Sequence, residues 1–276
     1  MNKILVPTDF SECANSAVNI ALDLAQKANA EIHFLHVICT PVNWVKLPLG
    51  KEKLYPDTLA KINKAKFELN GITKRARDMG LNASEFLTFD QNQSQILNHI
   101  EGHSHDFIVM GSNGTSGLRE ILGSNTQKLV RLSKVPVLVV KGVHDELKIN
   151  DIVFASNFKQ DVHEPFKKVV ELAELMQAKI HLLFVNRPSQ FEESDESLAR
   201  MSEFLNNCPE GICTINVFNS LNEERGILKF AKSIHSNLIA ITTHGRTGFM
   251  KVITPSITES LVNHSNIPVL CVNLHH

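Results

Sequence analysis

The sequence predicts an α/β protein of two tandem, doubly wound domains, each a five-stranded parallel sheet with helices on both faces. Two observations predict it. Short β-branched apolar runs alternate with segments of helical period, and the whole series recurs in the same order in the second half. Strand followed by helix, repeated, specifies parallel strands joined by crossovers. A (β/α)8 barrel uses the same alternation, but two complete five-strand sets disfavour it.

The elements of the first half follow in order. KILVPT (residues 3–8) is the first strand, and ECANSAVNIALDLAQKA carries Ala14, Ala17, Val18, Ala21, Leu22, Leu24 and Ala25 on one helical stripe. EIHFLHV (31–37) is the second strand. Residues 38–56 fit no period and hold the single Trp and the single Tyr. A loop of that length is a candidate lid or partner surface, the plainer alternative being that Trp44 and Leu47 pack on their own domain. DTLAKINKAKFELNGITKRARDMG reads as a helix, ASEFLTF as a strand, QSQILNHIEGHSHD as a helix and FIVMG as a strand. SNTQKLVRLSK is the last helix and PVLVV the closing strand.

ILVPTDFS at 4–11 aligns with IVFASNFK at 152–159, and AEIHFLHV at 30–37 with AKIHLLFV at 178–185. DFIVMGSNG at 106–114 aligns with NLIAITTHG at 237–245, and SKVPVLVVK at 133–141 with SNIPVLCVN at 265–273. Domains at 1–143 and 148–276 are expected, divided within GVHDELKIN (142–150). With 28 Lys and Arg against 29 Asp and Glu, no general attraction to nucleic acid or an anionic membrane follows. No stretch has the length of a membrane span and the amino terminus does not read as a secretory signal, so a cytoplasmic location is expected. The five cysteines are scattered, and the near pair Cys208 and Cys213 is too widely spaced for a CxxC motif, so thiols without a redox or metal role are expected. His99, His103 and His105 in HIEGHSHD read as a solvated helix end, and no metal site is expected.

The chemistry concentrates where the first strand ends in Pro7, Thr8 and Asp9 and the fourth enters GSNGTSGLREILGS (111–124). In an open parallel sheet both reach one carboxyl-terminal rim, where ligands bind. Gly111 and Gly114 leave room for backbone amides to approach an anion, and Gly123 with Ser124 lies where a helix starts, which favours phosphate oxygens. Thr115 and Ser116 are further donors, and Asp9 suits a ribose hydroxyl or a metal held against phosphates. The cluster matches neither the dinucleotide fingerprint nor the P-loop. Tight turns and a cap at Ser124 or Asn125 account for the same residues equally well.

ILVPTDFSE, MGSNGTSGLREILGSNTQKLV and VPVLVVK together resemble the universal stress protein family over nearly the whole chain, in its tandem form. The resemblance implies an adenine nucleotide alpha hydrolase-like fold, ATP as ligand with Mg2+ as an optional companion, and a role in stress response or signalling. It places adenine near Asp9 and Val37, ribose at Asp9 and Gly111, and phosphates at Gly114, Ser124 and Asn125, with Met110, Ser112 and Asn113 lining the site and Pro7, Thr8 and Gly123 completing it. Against the family pattern G-x2-G-x9-G-[S/T], the spacing from Gly114 to Gly123 is one residue short, and Asn113 stands where a His is frequent. The second half departs further, with Asn157 for Asp9, Thr242 for the first glycine and Pro255 before Ser256, although His244, Gly245 and Gly248 remain and Arg246 could meet an anion. It reads as a structural or regulatory partner with a degenerate motif.

No nucleophile–base–carboxylate arrangement assembles from the strand ends, so no catalytic residues are expected beyond slow Mg2+-assisted ATP hydrolysis at Asp9. The alternative is a nucleotide-independent tandem interaction scaffold. In the family the closing strands pair between domains, which implies an intramolecular pseudo-dimer; a homodimer through helices or the Trp44 loop is left open.

Overall fold

The computed structural model describes residues 1–90, 95–112, 124–142, 148–158, 162–243 and 257–274. The chain forms two compact units, Met1–Gly111 and a second that takes Ser112–Gly142 together with the second half.

In the first unit, β1 (Lys3–Pro7), α1 (Glu12–Ala28), β2 (Glu31–Cys39), α2 (Pro56–Asp78), β3 (Ala83–Asp90), α3 (Gln95–His103) and β4 (Phe107–Gly111) follow one another. The strands are parallel in the order β3-β2-β1-β4, so the chain reverses its winding direction at β1. All seven residues of the predicted α1 stripe are buried against the sheet. The Ser11 hydroxyl accepts from the Ala14 amide to begin α1, and Asn29, at φ 51°, turns left-handed to end it. The segment after β2 contains 3-10 turns at Trp44–Lys46 and Lys51–Leu54. Trp44 packs with Phe10, Leu87 and Phe89 on the cluster of Ile38, Ile62 and Ala65, which is the plainer of its two readings.

The second unit holds α4 (Ser124–Leu132), β5 (Val137–Val140), β6 (Asp151–Ala155), α5 (His163–Met176), β7 (Lys179–Asn186), α6 (Ser194–Leu205), β8 (Cys213–Asn219), α7 (Glu223–Ser233), β9 (Leu238–Thr243), α8 (Ile257–His264) and β10 (Val269–Asn273). Its strand order is β5-β10-β9-β6-β7-β8. The closing strands β5 and β10 pair with each other, as the resemblance implies, and they do so antiparallel, with Val139 opposite Val269 and Val137 opposite Cys271, so this sheet is mixed rather than wholly parallel. Both strands are buried at every residue, and an edge that apolar needs a covering strand. Beside this pair, Arg131 of α4 and Glu259 of α8 form an ion pair at 3.3 Å, and the Asn273 side-chain amide at the end of β10 donates to Ser133 O at 3.3 Å, just after α4.

The duplication extends to unusual backbone. Among the described residues, every non-glycine with positive φ belongs to an equivalent pair: Phe10 with Phe158, Asn29 with Gln177, and Ser104 with His235. One cysteine expectation is overturned: Cys208 and Cys213 form a disulfide, their Cα atoms brought to 6.2 Å by the turn after α6.

Candidate functional site

The rim of the first unit is built on the turn that follows β1. The Thr8 amide donates to Leu35 O at 2.9 Å, and His36 Nδ1–H donates to Thr8 O at 2.7 Å. Thr8 Oγ1 accepts from the Phe10 amide and Asp9 Oδ1 from the Ser11 amide, each at 3.0 Å. Phe10 takes φ 64° and lays its ring 4.6 Å from that of His36. These bonds fix the peptide path while the Asp9 carboxylate stands exposed beyond the carboxyl end of β1. His36 is not singled out in the sequence, because its partner Thr8 lies at the end of another strand and β2 shows no alternation of burial that marks it.

Pro7 ends β1 beside Leu35, and Val37 is half-buried on β2 beside Thr88. Met110 is buried in β4, and Gly111 ends that strand on the other side of β1. Pro7, Thr8, Asp9, Val37, Met110 and Gly111 therefore gather at the carboxyl ends of β1, β2 and β4, around the topological switch point. Ser112 is buried, with its amide donating to Val140 O at 2.9 Å. Ser124 and Asn125 open α4, whereas Asn113, Gly114 and Gly123 lie outside the described residues, as do Thr115, Ser116, His244, Arg246, Pro255 and Ser256.

Gly111 has a packing reason of its own. A Cβ there would lie 2.5 Å from the carbonyl carbon and oxygen of Cys13 and 2.6 Å from the Ala14 amide nitrogen. Those atoms are α1 backbone, which cannot move aside as a side chain would, so the first turn of α1 demands glycine.

The second unit repeats the turn with different contents. Ser156 N donates to Leu183 O, and Phe158 N to Ser156 Oγ, both at 3.1 Å, as Thr8 and Phe10 do. Asn157 occupies the exposed Asp9 position, but Phe158 is buried with its ring 5.0 Å from that of Phe204. α5 begins at His163, three positions later than α1 by the repeat, and the Gly111 position is Thr242. Arg187 pairs with Glu223 at 3.4 Å, and desolvation raises the Glu223 carboxyl above its ordinary range despite that neighbour.

A second constellation lies toward the amino ends of β2 and β4. His33, His99 and His105 are all buried, correcting the solvated helix end expected from sequence. Desolvation, with neighbouring histidines, depresses His99 to about 4 and His105 to about 3, and burial also lowers His33. His33 comes from β2, and no local spacing in HIEGHSHD points to it.

Fold and rim define a tandem α/β protein whose two copies share one rim turn but carry different side chains on it. The family model described as the universal stress protein family matches residues 1–141 and 215–273, and the chain belongs to that family. Universal stress protein YxiE of Bacillus subtilis is 31% identical over 146 residues, 51% of this chain and 99% of that protein. Universal stress protein MJ0577 of Methanocaldococcus jannaschii is 32% identical over 152 residues, 50% of this chain and 94% of that protein. Over 99% of this chain and 98% of the other, the fold is similar to that of a universal stress protein from Archaeoglobus fulgidus, with TM-score 0.76 and 24% identity. Among the described residues no helix is long and apolar enough to cross a membrane.

Proposed function

We propose that the first half binds ATP, with Mg2+ where its phosphates need neutralising, and that bound nucleotide sets the conformation of the 111–124 segment to alter a partner surface in stress response or signalling. The observation that carries this reading is the exposed Asp9 carboxylate at the switch point, flanked by half-buried Val37 and the end of β4 at Gly111. A carboxylate at that rim suits ribose hydroxyls, and the apolar Val37 suits a base edge. In the same reading the domains run 1–143 and 148–276, each a doubly wound five-strand unit, in a cytoplasmic protein whose second half regulates rather than binds.

Titration of the full chain with ATP, with and without Mg2+, tests it. Saturable binding tighter than about 1 mM is expected, weakened about tenfold by Asp9→Asn; no binding at that concentration overturns the reading. A nucleotide-independent scaffold is favoured by one observation, that α1 packing accounts for Gly111 without a ligand. Slow ATP hydrolysis would require Asp9, so phosphate release unchanged in Asp9→Ala excludes that mechanism.

A further inference from the structure

We propose that His33, His99 and His105 form a binding site for one divalent transition metal ion of the zinc class, buried in the first unit. The residues come from three separate elements: β2, α3 and the turn entering β4. Each offers a ring nitrogen, and these nitrogens lie within 4.8 Å of one another, with the residues 3%, 7% and 4% exposed. Zinc holds nitrogen ligands at about 2.0–2.1 Å, so tetrahedral neighbours stand roughly 3.4 Å apart. His33 Nδ1 and His105 Nε2, 3.0 Å apart, are already near that spacing, and modest rotation of the His99 ring completes the set.

The hydrogen bonds prepare the ligands. Glu31 Oε1 lies 2.8 Å from His33 Nε2, so Nε2–H donates outward to the carboxylate and the Nδ1 lone pair faces the cluster. Lys3 holds Glu31 in turn at 3.3 Å. A carboxylate behind a histidine is the arrangement that orients metal-bound imidazoles and raises their basicity. His99 Nε2 is buried without a hydrogen-bond partner, a costly state that a metal ion relieves. An all-imidazole set suits zinc, copper or nickel, not magnesium or calcium. The ring of Phe86, 4.6 Å from that of His99 and 4.9 Å from that of His33, and the ring of His103, stacked 4.0 Å from that of His99, wall the site.

The second unit shows the same framework with every partner satisfied. His181 stands where His33 does, and its ring nitrogens lie 2.9 Å from Asp151 Oδ1 and 3.0 Å from Thr214 Oγ1. Phe230 replaces His99, and Ser236 replaces His105, donating to Asp151 O or Leu238 O, each 2.9 Å away. A core of this shape does not need the first unit's orphaned His99 nitrogen.

The test is titration of the chelator-treated full chain with Zn2+ by calorimetry, with Co2+ absorption as a second readout of imidazole ligation. One equivalent is expected with micromolar or tighter affinity, and 100-fold excess over that constant should raise Tm by about 5 °C. His99→Phe and His105→Ser, which install the second unit's residues, should each weaken binding at least about 100-fold, whereas His181→Ala and loss of the histidines at 275 and 276 should leave it unchanged. His99→Phe preserves an aromatic ring, so a folding failure at position 105 still leaves a decisive variant. Absence of stoichiometric binding at about 100 μM, or binding that survives His99→Phe, overturns the proposal.

Discussion

The two units share a turn, its hydrogen bonds and its left-handed residues, yet they fill the shared frame differently. In the first, an exposed carboxylate stands at the rim and three buried histidines gather at the other end of the strands. In the second, Asn157 replaces the acid, Phe158 is buried against Phe204, and the equivalent histidine is matched by Asp151 and Thr214. The two copies share backbone geometry while differing in the side chains placed on it. A strained turn is therefore evidence of common construction, and only the groups around it are evidence of chemistry.

The largest separation of the units should come from acid. His99 and His105 have folded-state values of about 4 and about 3 against an ordinary 6.5, so the unfolded chain binds protons first. Their contribution is complete above about pH 6.5 and is lost as pH falls toward the folded values; with chelator present, roughly 4 kcal/mol should disappear by pH 5. Denaturant unfolding across that range checks this, and His99→Phe with His105→Ser should flatten the profile.

Gly111→Ala should cost about 3 kcal/mol, because the added carbon meets α1 backbone at 2.5 Å. Thr242→Gly, at the equivalent place, should cost about 1 kcal/mol through backbone entropy alone. Equal losses in thermal unfolding would show that the later start of α5 does not explain the exchange. Asp9→Asn should weaken ATP about tenfold, near 1.4 kcal/mol, while Asn157→Asp should create no second site; calorimetry reads both. The smallest effect concerns caps: Ser11→Ala should destabilise by about 1 kcal/mol, since its hydroxyl bonds the Ala14 amide. Val162→Ala removes no side-chain hydrogen bond from the start of α5, so any loss there measures packing alone.

Local pattern carried much of the fold. The α1 stripe, the short strands and the repeat are properties of neighbouring residues, and the structure places them as their periods require. The pairing of β5 with β10 is legible only through the family resemblance, and its antiparallel direction is not legible at all, because the register of Val139 with Val269 depends on residues far apart in the chain. Asp9 is readable as a rim residue from its strand end and Val37 only through the family resemblance, whereas the reason for Gly111 is not readable, since a glycine that admits α1 looks the same in sequence as one that admits phosphate. The histidine cluster escaped because β2 brings His33 to His99 and His105 from a distant segment. The Cys208–Cys213 bond likewise depends on how the turn after α6 folds.

In the proposed function, the first copy binds nucleotide and the second keeps only its frame. A crystal structure of the full chain with ATP and Mg2+ tests it most directly. The account predicts one nucleotide, with its base beside Val37, its ribose at Asp9 and its phosphates beyond Gly111; nucleotide at Asn157 and Thr242, or none in the first half, would contradict it.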